Sequence, residues 1–148
     1  PQWNSLIMTE QKNFKIKEAF QKDEVFYDIT PTEKQNQNIN SDDLMSFNTY
    51  TFKDAQKTAK EIVSKLKGGE KTEGIGVTFI VESFNKSMDE AVVYVTVFDI
   101  KTKNVLILER MVGKPMGIGL RNFWAGAMKH VIKQITTDYY NLWKSKAK

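Results

Sequence analysis

The clearest pattern in the chain lies between Ile75 and Val112, where apolar and polar positions alternate in three short runs. A repeat of two is the signature of half-buried strands. In Ile75–Phe84, Val77, Phe79 and Val81 share one face, with Thr78 and Glu82 on the other. Val92–Ile100 is apolar or aromatic on both faces, as expected of a central strand covered on two sides or of a strand at a partner surface. Val105–Val112 sets Leu106 and Leu108 against Val105, Ile107 and Glu109. The connections Asn85–Glu90 and Lys101–Asn104 are short and polar, which joins the three runs as an antiparallel meander.

A spacing of three and four governs two other stretches. Phe52, Ala55, Ala59, Ile62, Val63 and Leu66 form one stripe, predicting a helix over 52–67. Thr51 is its expected N-cap, with Asp54 three residues on, and Gly68-Gly69 stops it. A longer helix is predicted over 120–144 from Leu120, Phe123, Trp124, Ala127, Val131, Ile135, Tyr139 and Leu142. Tyr139, Tyr140 and Trp143 cannot all share that stripe, so one or two of them are expected to face outwards or meet a partner.

The first fifty residues are harder to phase. Trp3, Leu6 and Ile7 sit at helical spacing, so a short helix or turn pins the N-terminus. Phe14-Lys15-Ile16-Lys17 alternates like a strand, and Val25–Ile29 reads as a second one, the two forming a hairpin closed by Pro31. A helix over 11–20 competes, with Phe14, Lys17 and Glu18 on one face. Residues 30–40 are polar and rich in Asn and Gln, the composition of a flexible loop, and 41–50 is ambiguous. The element order is then β-β-α-β-β-β-α. The expected fold is α+β, a mostly antiparallel sheet of four to five strands with two long helices packed on it. It would form a single domain over 1–148, ending in a frayed basic tail at 145–148.

Length and composition agree with that outline. A chain of 148 residues that is 41% hydrophobic and 27% charged has enough apolar material for a core without metals or disulfides. Cysteine is absent, which removes thiol nucleophiles, disulfides and zinc–thiolate sites together. The first residue is Pro1 rather than Met, for which a cleaved export signal is one explanation and a trimmed chain the other; the first is the expectation taken forward. No run approaches the length of a membrane span. The net charge is +4, but only Arg110 and Arg121 among the 22 basic residues are arginine. Nucleic-acid surfaces draw on arginine for bidentate contacts, so a nucleic-acid partner is not favoured.

Candidate chemistry is sparse. His130 is the one histidine, and no nucleophile stands beside it in a recognisable setting. The acid pairs Asp42-Asp43 and Asp89-Glu90 lie in polar turns, and nothing places Glu82 and Glu109 across a cleft. Asn38–Asp43 has oxygen ligands but not the spacing of a calcium loop. No cofactor motif is present and no catalytic residue is expected. Phe123 and Trp124 fit the core better than a stacking platform. The local pattern of most interest is Gly113–Asn122, which joins the last strand to the last helix. A helix start with unpaired N–H groups, flanked by Lys114 and Arg121, is suited to a phosphate, a carboxylate or an acidic partner side chain. Gly113, Lys114, Gly117, Gly119, Arg121 and Asn122 are therefore the candidate ligand- or partner-binding residues. The competing explanation is a glycine-rich crossover that only lets the chain turn.

The stretch Val92–Ile135 also carries a resemblance. Phe98-Asp99-Ile100, the turn Lys101–Asn104, the strand Val105–Leu108 and above all Gly117-Ile118-Gly119-Leu120-Arg121-Asn122-Phe123-Trp124-Ala125 resemble uncharacterised exported proteins of Bacteroidetes-type bacteria. More distantly, the last third is similar to small α/β domains of bacterial envelope lipoproteins, of the penicillin-binding-protein activator and curli-secretion types. The lipidated cysteine of such lipoproteins has no counterpart here. The resemblance implies a periplasmic or cell-surface location and hands over no catalytic residues. The function expected is a non-enzymatic domain that binds a protein partner or envelope component, with a homodimer as one form. The alternative is a module that captures an anionic group at the glycine-rich turn.

Overall fold

The structure, a computed structural model, describes residues 2–146, with side chains from Asn4 onwards. Pro1, the side chain of Trp3 and the last two residues of the basic tail lie outside the described residues. The fold is α+β. Helices α1 (Gln2–Thr9), α2 (Gln11–Phe14), α3 (Ile16–Ala19) and α4 (Thr30–Asn36) precede a 3-10 turn at Ser41–Leu44 and helix α5 (Ala55–Lys65). Strands β1 (Ile75–Asn85), β2 (Glu90–Asp99) and β3 (Val105–Gly113) follow. Helix α6 (Leu120–Gln134), a π-helical turn (Ile135–Tyr139) and α7 (Tyr140–Lys146) close the chain. Among the described residues, no helix is long and apolar enough to cross a membrane.

The meander forms as its alternation predicts: one antiparallel sheet in the order β1-β2-β3, with β2 in the centre. The sheet stops at three strands, and the expectation of four to five strands under two long helices is overturned. The strands expected at 14–17 and 25–29 do not exist. Phe14 ends α2, Lys15 takes a left-handed conformation at φ 51°, and Ile16 opens α3. That break resets the helical phase, so Phe14 and Ile16 are both buried although no pleat alternates them. Val25–Ile29 is irregular, and Thr30–Asn36, expected as loop, is helical with Pro31 in its first turn, where a missing N–H costs nothing.

Two compact units make up the chain: residues 28–83 with 92–111, and residues 2–27 with 84–91 and the chain from 112 onwards. In the first, α5 is three residues shorter at its start than its apolar stripe predicts. Asp54, not Thr51, is the N-cap, its carboxylate accepting from the Lys57 N–H at 2.9 Å. Val63 and Leu66 of α5 pack on Phe98, with Ile100 and Val105 at the margin. The Phe98 ring lies over Gly76 of β1, where a Cβ would come within 2.5 Å of it.

Asp28 ties the ends of this unit's helical segment together. Its carboxylate accepts from the Thr30 N–H at 2.9 Å and, 42 residues on, from the Glu70 N–H at 2.8 Å. Partial burial works to raise its pKa, but these backbone N–H groups and Lys34 outweigh it and hold the carboxyl below its ordinary 3.8. A depressed folded-state pKa contributes stability that is present above the unfolded value and lost as pH falls through the folded one. Acid titration is therefore expected to lower the unfolding midpoint below about pH 4, and Asp28→Ala should flatten that part of the profile while lowering stability at neutral pH. Urea melts across the acid range check both; parallel profiles for the two proteins would remove Asp28 from the account.

In the second unit, the break that ended the expected long helix is a π turn rather than a stop. Widening the coil over Ile135–Tyr139 re-phases the residues that follow. Trp143 is thereby buried, stacking on Phe20 with ring centres 6.4 Å apart, while Tyr140 meets the same ring edge-on. Tyr139 lies 5.9 Å from Trp143, so the three aromatics share one cluster, with Trp143 buried and Tyr139 and Tyr140 half-buried beside it. Trp124 is buried against Phe84 and Phe123, as a core reading requires.

Candidate functional site

The glycine-rich turn is built from the end of β3 and the start of α6. Gly113 is buried in the strand against the backbone of Ala127 on α6, a close approach that any side chain would block. Gly126 on the same helix meets the backbone of Met116 in the same way. Gly117 at φ 124° and Gly119 at φ 83° turn the chain through conformations that L side chains rarely adopt. Gly119 is the N-cap of α6 and carries no side-chain cap, while its carbonyl accepts from the Phe123 N–H at 2.9 Å.

The polar members of the set are mostly engaged within the protein. Lys114 gives its backbone N–H to Nδ1 of His130 at 3.0 Å. Nδ1 is thus an acceptor, which fixes the ring as the Nε2–H tautomer. His130 thereby fastens the strand end to the helix. Arg121 donates from Nη2 to Oε1 of Glu10 at 3.3 Å, and Asn122 donates from Nδ2 to the Ile118 carbonyl at 3.2 Å. Glu10 also accepts from Asn13, and this bond, with Arg121 and Lys129 nearby, holds its carboxyl below the usual range. Of the six candidate residues, Gly113 is structural, Gly117 and Gly119 shape the turn, Arg121 and Asn122 restrain it, and the Lys114 side chain is exposed.

What the sequence did not single out is the apolar content of this turn. Met116, Ile118 and Leu120 alternate with its glycines, and all three stand in solvent, Ile118 with 94% of its surface exposed. Isolated exposed apolar residues are ordinary. Three on one restrained turn form a patch of the kind that marks an interaction site.

A second cluster forms around Glu82, whose side chain is only 1% exposed. The alternation placed Val77 and Val81 with the apolar face, but they are exposed, while Ile80 and Glu82 face inwards. Glu82 Oε1 accepts from Arg110 Nη2 at 3.1 Å and Oε2 accepts from the Phe52 N–H at 2.9 Å. β1 and β3 flank β2, about 10 Å apart, so the pair spans the central strand over Tyr94. The Tyr94 side chain lies close enough to feel both charges. Burial pushes its pKa above the ordinary 10.0, Glu82 adds to that, and Arg110 opposes it. The Phe52 ring stacks on Tyr94 at 5.5 Å, and Tyr50 meets Phe52 edge-on at 5.9 Å. With one oxygen meeting Arg110 and the other the Phe52 N–H, Glu82 clamps the segment around Phe52 to the sheet.

The remaining acids do not converge. Asp42 and Asp43 lie exposed in the 3-10 turn, and Asp89 is in the β1–β2 turn at φ 49°. Among the described residues, no group of three or more His, Asp or Glu side chains is placed to hold a metal ion. Comparison with protein-family models, with curated proteins and with solved structures finds no match to this chain.

Proposed function

We propose that this chain is a non-enzymatic binding domain, acting in the periplasm or at the cell surface, which docks a partner protein through the Gly113–Asn122 turn. The observation that carries the reading is the exposure of Met116, Ile118 and Leu120 on a turn that is restrained at both ends. Pre-set geometry lowers the ordering cost of association, and apolar anchors at the centre of a patch supply most of the energy in protein interfaces. Lys114 at the rim adds a charge that orients a partner bearing acidic groups. The exported location rests on the resemblance of Val92–Ile135 described above.

Anion capture at the start of α6 is the weaker reading. Glu10 already supplies Arg121 with a carboxylate, and its own charge repels a second anion from the same place.

The test is site-specific photocrosslinking in the producing cell, with a crosslinker in place of Ile118 and a control crosslinker at exposed Lys60 of α5. A discrete adduct at 118 alone is expected. Ile118→Asp with Leu120→Asp should abolish binding to the protein so identified without moving the thermal midpoint. Absence of an adduct, or binding that survives both aspartates, would overturn the assignment.

A further inference from the structure

We infer that the open edge of β1 is a homodimerisation site, at which two copies pair antiparallel to make a continuous six-stranded sheet. The inference does not depend on the turn at 113–122. Both β1 and β3 are edge strands, since the sheet ends at each. Such an edge presents a row of unpaired N–H and C=O groups, and monomeric proteins blunt it with charge, proline or brevity. β3 follows that rule, carrying Glu109 and Arg110 in mid-strand. β1 breaks it. It is 11 residues long, and its run Ile75-Gly76-Val77-Thr78-Phe79-Ile80-Val81 contains neither a charge nor a proline.

The exposure pattern and the sequence agree on what would cover this edge. Ile75 is 62% exposed, and Val77 and Val81 on the same face are also exposed. Outside the sheet, residues 75–83 make no backbone-to-backbone hydrogen bond among the described residues. The run is self-complementary about Thr78. Folding one copy onto another there opposes Val77 to Phe79, Ile75 to Val81 and Gly76 to Ile80, with Thr78 facing its own counterpart. All the cross-strand pairs on the exposed face are then apolar, and the β-branched and aromatic pairings are the favourable ones. No like charges are opposed, because Gly74 falls opposite Glu82. An isologous contact of this kind uses one surface on both partners and closes at two copies. Only a second copy is guaranteed to bring that matching sequence.

Sedimentation velocity on the whole chain over a range of concentrations reads the stoichiometry. The wild type should run as a dimer, and Val77→Lys and Val81→Lys, both on exposed positions, should each run as monomer with unchanged circular dichroism and a thermal midpoint that no longer rises with protein concentration. Leu106→Lys, on the opposite edge strand, should remain dimeric. Because the chain has no cysteine, Thr78→Cys provides a second readout. A residue on the two-fold lies opposite itself at a Cα separation of about 4.5–5.5 Å, within reach of a disulfide, so the variant should crosslink to a dimer in air. A monomeric wild type, open-ended assembly, a dimer that survives both lysines or is lost with Leu106→Lys, or a Thr78→Cys variant that stays uncrosslinked would each overturn the proposal.

Discussion

Replacing Gly113 by alanine is expected to destabilise the protein by about 3 kcal/mol, at the upper end of what overpacking usually costs. The added Cβ would run into the carbonyl of Ala127 and sit 2.9 Å from Cγ2 of Val131. Val131 can yield by a rotamer change. The Ala127 carbonyl cannot, because it belongs to the backbone of α6 and moving it shifts the helix. For a domain of this size, 3 kcal/mol lowers the thermal midpoint by roughly 10 °C. Gly119→Ala is the contrasting case: nothing lies within 4 Å of its Cβ position, and only the positive φ of 83° opposes the change. With ψ at 149° this is backbone that glycine alone adopts readily, and the strain is worth about 2 kcal/mol. Thermal and urea unfolding of the two variants separate clash from strain. Adding Ala127→Gly to the Gly113 variant should not rescue it, since the obstructing atom is a backbone oxygen; a full rescue would show that the contact is misassigned.

This prediction also shows how the sequence could be read correctly in one respect and incompletely in another. Glycines between a strand and a helix were visible, but composition cannot distinguish a glycine that turns the chain from one that lets two elements touch. Gly117 and Gly119 are of the first kind and Gly113 of the second. The meander was legible because its turns are strongly marked: Asn85 accepts from the Met88 N–H, and Asp99 accepts from Thr102 and titrates below its ordinary value for that reason. β2 was legible as central because nothing polar interrupts it except Thr96, which is buried.

The misreadings have physical causes. The alternation of Phe14 and Ile16 mimics a strand, yet a single left-handed residue between two helical turns places both side chains inwards. Tyr139, Tyr140 and Trp143 could not be reconciled with one stripe at 3.6 residues per turn, and the π turn resolves the conflict by changing the pitch. On β1 the error was one of face. A glutamate among valines is assigned to solvent by any hydropathy rule, whereas here Glu82 is inside and Val77 and Val81 are not. The signal that could have found it is Arg110, one of only two arginines, set in mid-strand among apolar residues.

That inversion leads to the second large effect. Arg110→Ala is expected to cost about 3 kcal/mol, because removing one member of a buried pair leaves the other charge uncompensated. The cost should fall unequally on the two partners. Glu82 is 1% exposed and depends on Arg110, whereas Arg110 is 46% exposed and can be hydrated when alone. Glu82→Gln removes the charge yet keeps an acceptor for the Phe52 N–H, so it should cost about 1 kcal/mol, the ordinary worth of a hydrogen bond. Combining the two substitutions should then recover much of the loss from Arg110→Ala, as no buried carboxylate remains to be compensated. Urea unfolding of the three proteins gives the coupling directly. If the single variants are equally damaging and the double variant simply adds them, the pair is not acting as a clamp across β2. If the asymmetry holds, the segment around Phe52 is held to the sheet by a charge that hydropathy alone would have placed in water.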